Sequence, residues 1–145
     1  MFTSSLGTRA ELNALLALCD GGTGAASATL IFYDGTPPAD VDTALSGNNV
    51  LAQLAMSNPA FGAATDLNPG AQGAAATISD DTDADASGTC TFARVVNRAG
   101  TPILQFTVST VAAGTGEIQY ASTAFSQHAT IKAPTSLVVK RTADS

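Results

Sequence analysis

A run of aspartates is the first feature of the sequence whose residue types could do chemistry. Residues 80–88 read DDTDADASG and carry a carboxylate at every other position from Asp81 to Asp85. Oxygen ligands at this spacing are typical of the start of a calcium-binding loop, which also needs glycine at its sixth position and glutamate at its twelfth. Those two positions are Ala86 and Phe92 here. The run therefore favours a solvated turn whose Asp and Ser side chains accept hydrogen bonds from nearby backbone, and we predict no metal site.

The single histidine and the two cysteines are the other groups that could support catalysis. His128 could act as a base, but the sequence has none of the nucleophile or metal motifs that accompany a catalytic histidine in a hydrolase. An exposed histidine at the end of a strand is the favoured interpretation. Cys19 and Cys90 are far apart and form no metal or redox motif, so two buried thiols are favoured over one disulfide. We therefore predict no catalytic residue, no cofactor and no enzymatic activity.

The glycine-rich segments and the aromatic residues do not indicate a small-molecule site either. Segment 21–24 (GGTG) follows a predicted helix, whereas a phosphate-binding loop would open one. Segment 113–116 (AGTG) lies between predicted strands and is explained by a turn. The sequence contains two tyrosines, Tyr33 and Tyr120, and no tryptophan. It therefore has few aromatic rings on which a sugar could stack. We predict no small-molecule substrate.

The charge of the chain limits the kinds of partner that we expect. Twelve acidic and six basic residues give a net charge of −6, which argues against nucleic acid because affinity there depends on neutralising phosphates. Charged residues make up 12% of the chain, about half the usual share. A surface of small neutral residues costs little to desolvate and suits repeated packing against other subunits. A small monomeric β-sandwich of low charge is the alternative.

The sequence contains neither a signal-peptide pattern nor an apolar run long enough to span a membrane. We therefore expect a soluble protein that is made in a cytosol and has no membrane partner.

The elements that must position these residues begin with one amphipathic helix. Thr8 and Glu11 match a capping box, and Gly21 suits a left-handed helix end. Between them an apolar stripe has helical spacing at Leu12, Leu15, Leu16 and Cys19. The pattern predicts a helix over 8–20 and an arm over 1–7. About three turns are too few for stability alone, so the helix must dock either on its own sheet or on a neighbouring subunit.

After the helix the apolar period changes to two, which predicts short strands separated by turns. The predicted strands cover residues 28–33, 50–56, 74–79, 89–96, 102–110, 117–121, 129–132 and 136–140. A four-residue turn at 97–100, with Gly100 in a left-handed conformation, joins two of them into a hairpin. Residues 62–73 read as a long surface loop. Seven or eight short strands predict a mainly β, antiparallel sandwich or barrel that forms a single domain over 8–145.

Several sequence blocks resemble a known group of proteins. They are residues 30–39 (LIFYDGTPPA), 51–54 (LAQL), 58–62 (NPAFG), 78–80 (ISD) and 86–95 (ASGTCTFARV). In this order, after a short N-terminal helix, they resemble small proteins encoded among the structural genes of tailed bacteriophages and prophages. The resemblance covers roughly residues 8–140 and consists of turn and strand patterns. It leads us to expect a glycine where Gln127 and His128 stand.

The resemblance implies a virion structural role, and within that class a capsid decoration (cement) protein on the outside of the head. Its implied partners are the major capsid protein and copies of itself, in a closed arrangement such as a trimer. Its implied location is the capsid surface, after assembly in the cytoplasm of the bacterial host. Residues 1–7 and 62–73 are the candidate contacts with neighbours, because neither segment has an evident place in the core.

Two alternatives remain open. One is a tail, baseplate or fibre component of the same particle. The other is an adhesive or carbohydrate-binding β-sandwich that belongs to no virion.

Overall fold

The chain forms one helix followed by ten strands over residues 3–142, which are the residues that the computed structural model describes. The elements are α1 (Ser5–Leu18), β1 (Thr29–Tyr33), β2 (Val50–Ala55), β3 (Thr65–Leu67), β4 (Gly70–Ala74), β5 (Gly88–Thr89), β6 (Phe92–Val96), β7 (Pro102–Thr110), β8 (Ile118–Tyr120), β9 (Ala124–Phe125) and β10 (Val138–Arg141). The chain is therefore mainly β with a short N-terminal helix, as predicted. Residues 1–2 of the predicted arm and residues 143–145 lie outside the described part.

The strands form curled sheets that are compatible with the predicted sandwich or barrel. A five-stranded sheet has the order β2-β1-β6-β7-β8, in which β7 and β8 are parallel and the other neighbours antiparallel. A three-stranded antiparallel sheet has the order β10-β4-β3, and β5 pairs with β9. The described residues contain no helix that is both long and apolar enough to cross a membrane.

One face of the five-stranded sheet carries the core. Leu30 on β1 lies between Leu54 on β2 and Val95 on β6, and all three side chains are fully buried. Next in register, Phe32 packs edge-on against the rings of Tyr120 and Phe125, with centroids 5.8 and 5.6 Å away. Alternating apolar side chains therefore face the core, as the period of two predicts.

The helix docks on the three-stranded sheet of its own chain, which decides between the two docking alternatives. Leu12, Leu16 and Cys19 are buried in the same core as the strands. Ion pairs hold both flanks of the helix, Arg9 to Asp66 at 3.1 Å and Glu11 to Arg141 at 3.0 Å. The stripe that predicted an amphipathic helix therefore packs as expected.

The predicted helix boundaries were wrong at both ends. The N-cap is Ser4, whose hydroxyl accepts the Gly7 N–H at 3.1 Å, so residues 5–7 belong to the helix and not to an arm. Thr8 is buried in the first turn and donates its hydroxyl to the Ser4 carbonyl at 3.1 Å, so it does not cap. The helix ends at Leu18 with Cys19 as C-cap, two residues before the predicted end.

Residues 62–73 are not a surface loop, because they contain β3 and most of β4. Ala71 on β4 is fully buried. A β-carbon on Gly73 would overlap the Leu16 side chain of the helix. Glycine and alanine are weak strand formers, so the sequence pattern missed a strand whose small residues are required beneath α1.

The other strand predictions are mostly confirmed. The predicted 102–110 strand is β7, and Gly100 has a φ of 83° in the hairpin turn. The predicted 89–96 strand is divided between β5 and β6. The predicted strands at 74–79 and 129–132 are replaced by isolated bridges, Met56–Ile78, Phe61–Ala75 and Asp81–Ile131. The two-residue strand β9 is too short for a period-two pattern to reveal.

Candidate interaction surface

The helix has a second apolar face, which points away from the sheet. It consists of Leu6, Gly7, Ala10, Ala14, Ala17 and Leu18. With 3.6 residues per turn, these positions lie opposite the docked stripe. Leu6 is 66% exposed and Leu18 is 55% exposed. Exposed leucines grouped with small residues on one side of the helix give this outward face the character of a contact surface.

The charged groups of the helix lie at the flanks of the outward face and are already paired. Arg9 donates to both carboxylate oxygens of Asp66, at 3.1 and 3.2 Å. Glu11 is bound by Arg141. A partner that covered the outward face would therefore not have to strip water from an unpaired charge.

The segment 34–49 covers the opposite face of the five-stranded sheet. Its ends are tied together, because the Asp34 carboxylate accepts the Asn49 N–H at 2.6 Å and the Asn49 side-chain amide at 3.0 Å. These hydrogen bonds hold the pKa of Asp34 below its ordinary value. A long loop with joined ends is an Ω-loop.

A buried arginine fixes this Ω-loop on the sheet. Arg94 on β6 is only 4% exposed. It donates to the carbonyls of Asp40 and Thr43 at 3.1 and 2.8 Å and to the Gln105 side chain at 2.9 Å. Gln105 in turn donates to the Pro38 carbonyl at 2.9 Å. The outer face of β6 is therefore buried by the chain itself, and is not available as a free sheet surface.

The aspartate run crosslinks distant parts of the chain. Asp80 accepts Lys132 Nζ and the Ala133 N–H, both at 2.8 Å, and the lysine hydrogen bond is the main cause of its lowered pKa. Asp81 accepts the Gln53 N–H of β2 at 2.9 Å. Each of these carboxylates thus accepts hydrogen bonds from different donors, some of them far away in sequence. The local turn predicted from the sequence did not include such long-range contacts.

Other members of the run follow the same pattern. Asp85 accepts the Gln53 side-chain amide at 2.9 Å, while Asp83 pairs with His128 Nδ1 at 2.6 Å. The backbone-accepting turn that we predicted is present at one point, where Asp81 accepts the Asp83 N–H at 3.0 Å. Within residues 3–142 no group of three or more His, Cys, Asp or Glu residues is arranged to hold a metal ion.

His128 is exposed and has a φ of 64°, in the left-handed region that favours glycine. Glycine adopts this conformation without the steric cost that a β-carbon brings. The histidine lies in a turn rather than at the end of a strand, since the strand predicted over 129–132 does not form.

Both cysteines are free and buried, as predicted. Burial raises the pKa of the Cys19 thiol and of the Cys90 thiol to about 12. A thiol that remains protonated at neutral pH is a poor nucleophile, so these groups pack as apolar side chains.

A polar cleft of about 560 Å³ lies between β8 and the face of the three-stranded sheet that points away from the helix. Its polar lining consists of Gln72, Glu117, Gln119, Thr135, Ser136 and Lys140. The Glu117 carboxylate accepts the Thr107 N–H at 3.0 Å, which fixes it at the rim. Amides and hydroxyls without an aromatic platform could hydrogen-bond a polar ligand but would stack on it poorly.

Comparisons with protein-family models, with curated proteins and with solved structures each found no match.

The two segments that were selected from the sequence as candidate contacts with neighbours occupy different places in the structure. Residues 62–73 contribute Ala64 and Ala71 to the core, so the reason given for their selection was wrong. Of the predicted arm, Leu6 is exposed on the outward face of α1. The outward face as a whole was missed, although the spacing of small and leucine residues between positions 6 and 18 is visible in the sequence.

Proposed function

We propose that this protein is a structural component of a tailed-bacteriophage particle, and within that class a capsid decoration protein. The observation that carries the proposal is the exposed apolar face of α1, on a chain whose surface charge is sparse. Exposed apolar residues grouped into one patch are found at protein–protein contacts. The sequence resemblance supplies the particular assembly.

The mechanism follows from mass action. Contacts that exist only in the assembled shell stabilise that shell, because a ligand that binds one state lowers the free energy of that state alone. The major capsid protein is the proposed lattice, and the capsid surface is the proposed location.

Copy number on purified particles tests the proposal. A decoration protein should be present in many copies per head, because it would occupy equivalent positions repeated over a symmetric lattice. A tail, baseplate or fibre component should be present in far fewer copies and should separate with tails when the particles are dissociated by mild denaturant. Quantitative mass spectrometry of heads and tails distinguishes these two locations. Absence of the chain from purified particles would contradict both the decoration role and the tail, baseplate or fibre role.

A matched pair of variants tests whether the outward face mediates attachment. Leu6→Glu places a charge on that face, whereas Val111→Glu makes the same change at a side chain that is 60% exposed elsewhere. We expect Leu6→Glu to lower the copies retained per particle and Val111→Glu to leave them unchanged. Equal retention of both variants would show that the outward face of α1 does not take part in attachment to the particle.

The adhesive alternative has one specific observation in its favour, the polar cleft. Its amide and hydroxyl lining could bind a glycan. Glycan-array binding by the isolated protein that is lost in Gln119→Ala would favour this alternative and weaken the proposed structural role. The exposed Gln127→Ala is the matched control, because Gln127 lies outside the cleft.

A further inference from the structure

Within residues 3–142 the two larger sheets have four outer strands, and the chain itself closes the edges of two of them. On β2, the Gln53 N–H donates to the Asp81 carboxylate at 2.9 Å, and the carbonyls two residues to either side accept N–H groups of the segment 79–86. Beside β3, the Ala64 N–H donates to the Asn13 side chain of α1 at 2.8 Å. Edges that are covered in this way are protected against the addition of a strand from another chain.

The edge of β10 is open. In an antiparallel ladder, every second residue of a strand directs its N–H and C=O groups at the neighbouring strand. The Ala75 N–H donates to the Leu137 carbonyl at 2.9 Å, which sets this alternation for β10 and β4. Val138 and Lys140 therefore direct their N–H and C=O groups away from β4, where they have no hydrogen-bond partner in the described part of the chain.

The edge of β8 is open in the same way, and it borders the same cleft. The Val111 N–H donates to the Tyr120 carbonyl at 2.8 Å, so alternate residues of β8 pair with β7. Gln119 lies between two such residues and directs its N–H and C=O groups away from β7. The polar cleft of about 560 Å³ is lined by Gln119 of β8 and by Val138 and Lys140 of β10. Both open edges therefore meet one cavity, whose volume is typical of a binding site.

We propose that an extended segment of another protein chain binds in this cleft and adds a fourth strand to the three-stranded sheet, along β10. Val138 and Lys140 offer their N–H and C=O groups at a spacing of two residues, which is the repeat of an extended backbone. A sugar presents no such repeat. This site follows from the strand edges alone and goes beyond the proposed role in a phage particle.

The side chains beside the open edge define the composition of the segment. Alternate side chains of an added strand point into the cleft, where they meet the amide of Gln119 and the hydroxyls of Thr135 and Ser136. Small polar side chains suit these groups. Lys140 is exposed and makes no ion pair within residues 3–142, whereas the Glu117 carboxylate already accepts a backbone N–H of β7 at 3.0 Å. An acidic side chain in the segment therefore complements the unpaired charge of Lys140.

Protection of the edge is the competing explanation. A short outer strand that carries a lysine also resists unwanted pairing between copies of a protein. The two explanations differ in one consequence, because a protected edge binds no extended peptide.

Selection of binders from a displayed library of random linear peptides, with the isolated protein as bait, tests the proposal. Fluorescence anisotropy then gives the affinity of the selected peptides for variants. We expect Val138→Pro to weaken binding about tenfold, because it removes one outward N–H. Pairing with β4 is retained, since proline is tolerated where the N–H of an outer strand faces solvent. Val138→Ala keeps the N–H, so it is the matched control and should bind about as tightly as the native protein.

Lys140→Gln tests the charge of the segment. We expect it to weaken peptides that carry an acidic residue by about threefold, the usual strength of an exposed ion pair. Replacing the acidic residue of such a peptide by its amide should remove the difference between Lys140→Gln and the native protein.

A further measurement uses modified peptides and the native protein, so it decides the question even if proline disturbs β10. Methylation of the peptide N–H at every second position blocks strand pairing in one frame and spares it in the other. We expect one frame of methylation to abolish binding and the other to leave it largely intact.

Three results would overturn the proposal: a selection without binders, peptides that tolerate methylation in either frame, or peptides that bind a folded Val138→Pro variant as tightly as the native protein. Lys140 would then serve only to protect the edge. Because no particle is used, these results leave the copy-number test unaffected, and the presence of the chain on particles does not rescue the peptide site.

Discussion

Gly73 shows how one residue without a side chain determines where the helix sits. A β-carbon at this position would overlap the terminal Cδ1 methyl of Leu16, and because this side chain is 4% exposed it would have to turn within the core. Gly62 offers a contrast, because a β-carbon there would meet its nearest neighbour, the Ala74 carbonyl, at an ordinary 3.8 Å. The small residue is therefore required by packing at position 73 and not at position 62.

We expect Gly73→Ala to lower the free energy of unfolding by about 1–3 kcal/mol, the usual cost of overpacking a core. Gly62→Ala should change it little, or raise it by up to about 1 kcal/mol through the loss of unfolded-chain entropy. Urea denaturation of both variants measures the difference. Equal stabilities would mean that α1 can shift on β4 at no cost.

His128 carries a side chain at a position whose backbone conformation favours glycine. Left-handed backbone costs a non-glycine residue about 1–2 kcal/mol, and here it accompanies an exposed contact of the side chain with Asp83 and a hydrogen bond from the His128 N–H to the Ala84 carbonyl at 2.9 Å.

We expect His128→Gly to be more stable than His128→Ala by about 1 kcal/mol, because both variants lose the contact with Asp83 and only glycine relieves the backbone. Thermal denaturation of the two variants is the measurement. If alanine were the more stable substitution, the left-handed conformation would not be a source of strain.

At the scale of elements, the Ω-loop over 34–49 depends on β6. Arg94 donates to two carbonyls of the loop and to the Gln105 side chain of β7, and a lysine there cannot reproduce this planar fork of hydrogen bonds. The loop is therefore coupled to the sheet through Arg94 and, by one hydrogen bond each, through Gln105 and Thr91.

We expect Arg94→Lys to lower the free energy of unfolding by about 1–3 kcal/mol, since buried acceptors lose their donors. It should also make the segment 34–49 more sensitive to limited proteolysis. Arg98→Lys is the matched control, because Arg98 is only partly buried and its side chain donates from Nε to the Ala25 carbonyl. If the segment 34–49 stayed resistant to proteolysis in Arg94→Lys, its other hydrogen bonds would be sufficient to hold it on the sheet.

At the scale of the whole molecule, hydrogen-bonded carboxylates hold the loops in place. Asp34 closes the Ω-loop, Asp40 caps a turn within it through Thr43, and Asp80 binds Lys132 near the last strand. Hydrogen bonds from these partners lower the pKa of all three carboxyls from the ordinary value of 3.8. A group whose pKa is lower in the folded state stabilises the fold when it is ionised.

The melting temperature should therefore be nearly constant from about pH 7 down to about pH 5, and should fall below about pH 4 as these carboxylates become protonated. Asp34→Asn should melt lower at pH 7 and show a shallower decline in acid. Asp42→Asn, at an exposed position in the same loop, should follow the native curve. Parallel curves for the native protein and Asp34→Asn would exclude Asp34 as a contributor to acid sensitivity.

Features that depend on near neighbours in the chain could be predicted from the sequence. The β-branched and aromatic residues of β1 and the alternating residues of β7 form strands because side-chain direction in a strand is a local property. The docked stripe of α1 and the left-handed Gly100 are local in the same sense. The mainly β class with one N-terminal helix follows from these elements.

Only the tertiary structure decided the features that depend on distant partners. β4 is a strand because α1 lies against its glycine and alanine residues, and Arg94 is buried because a loop from another part of the chain covers it. The outward face of α1 became a candidate contact only once the opposite face was seen to dock on its own sheet, since exposure is a property of packing and not of residue type.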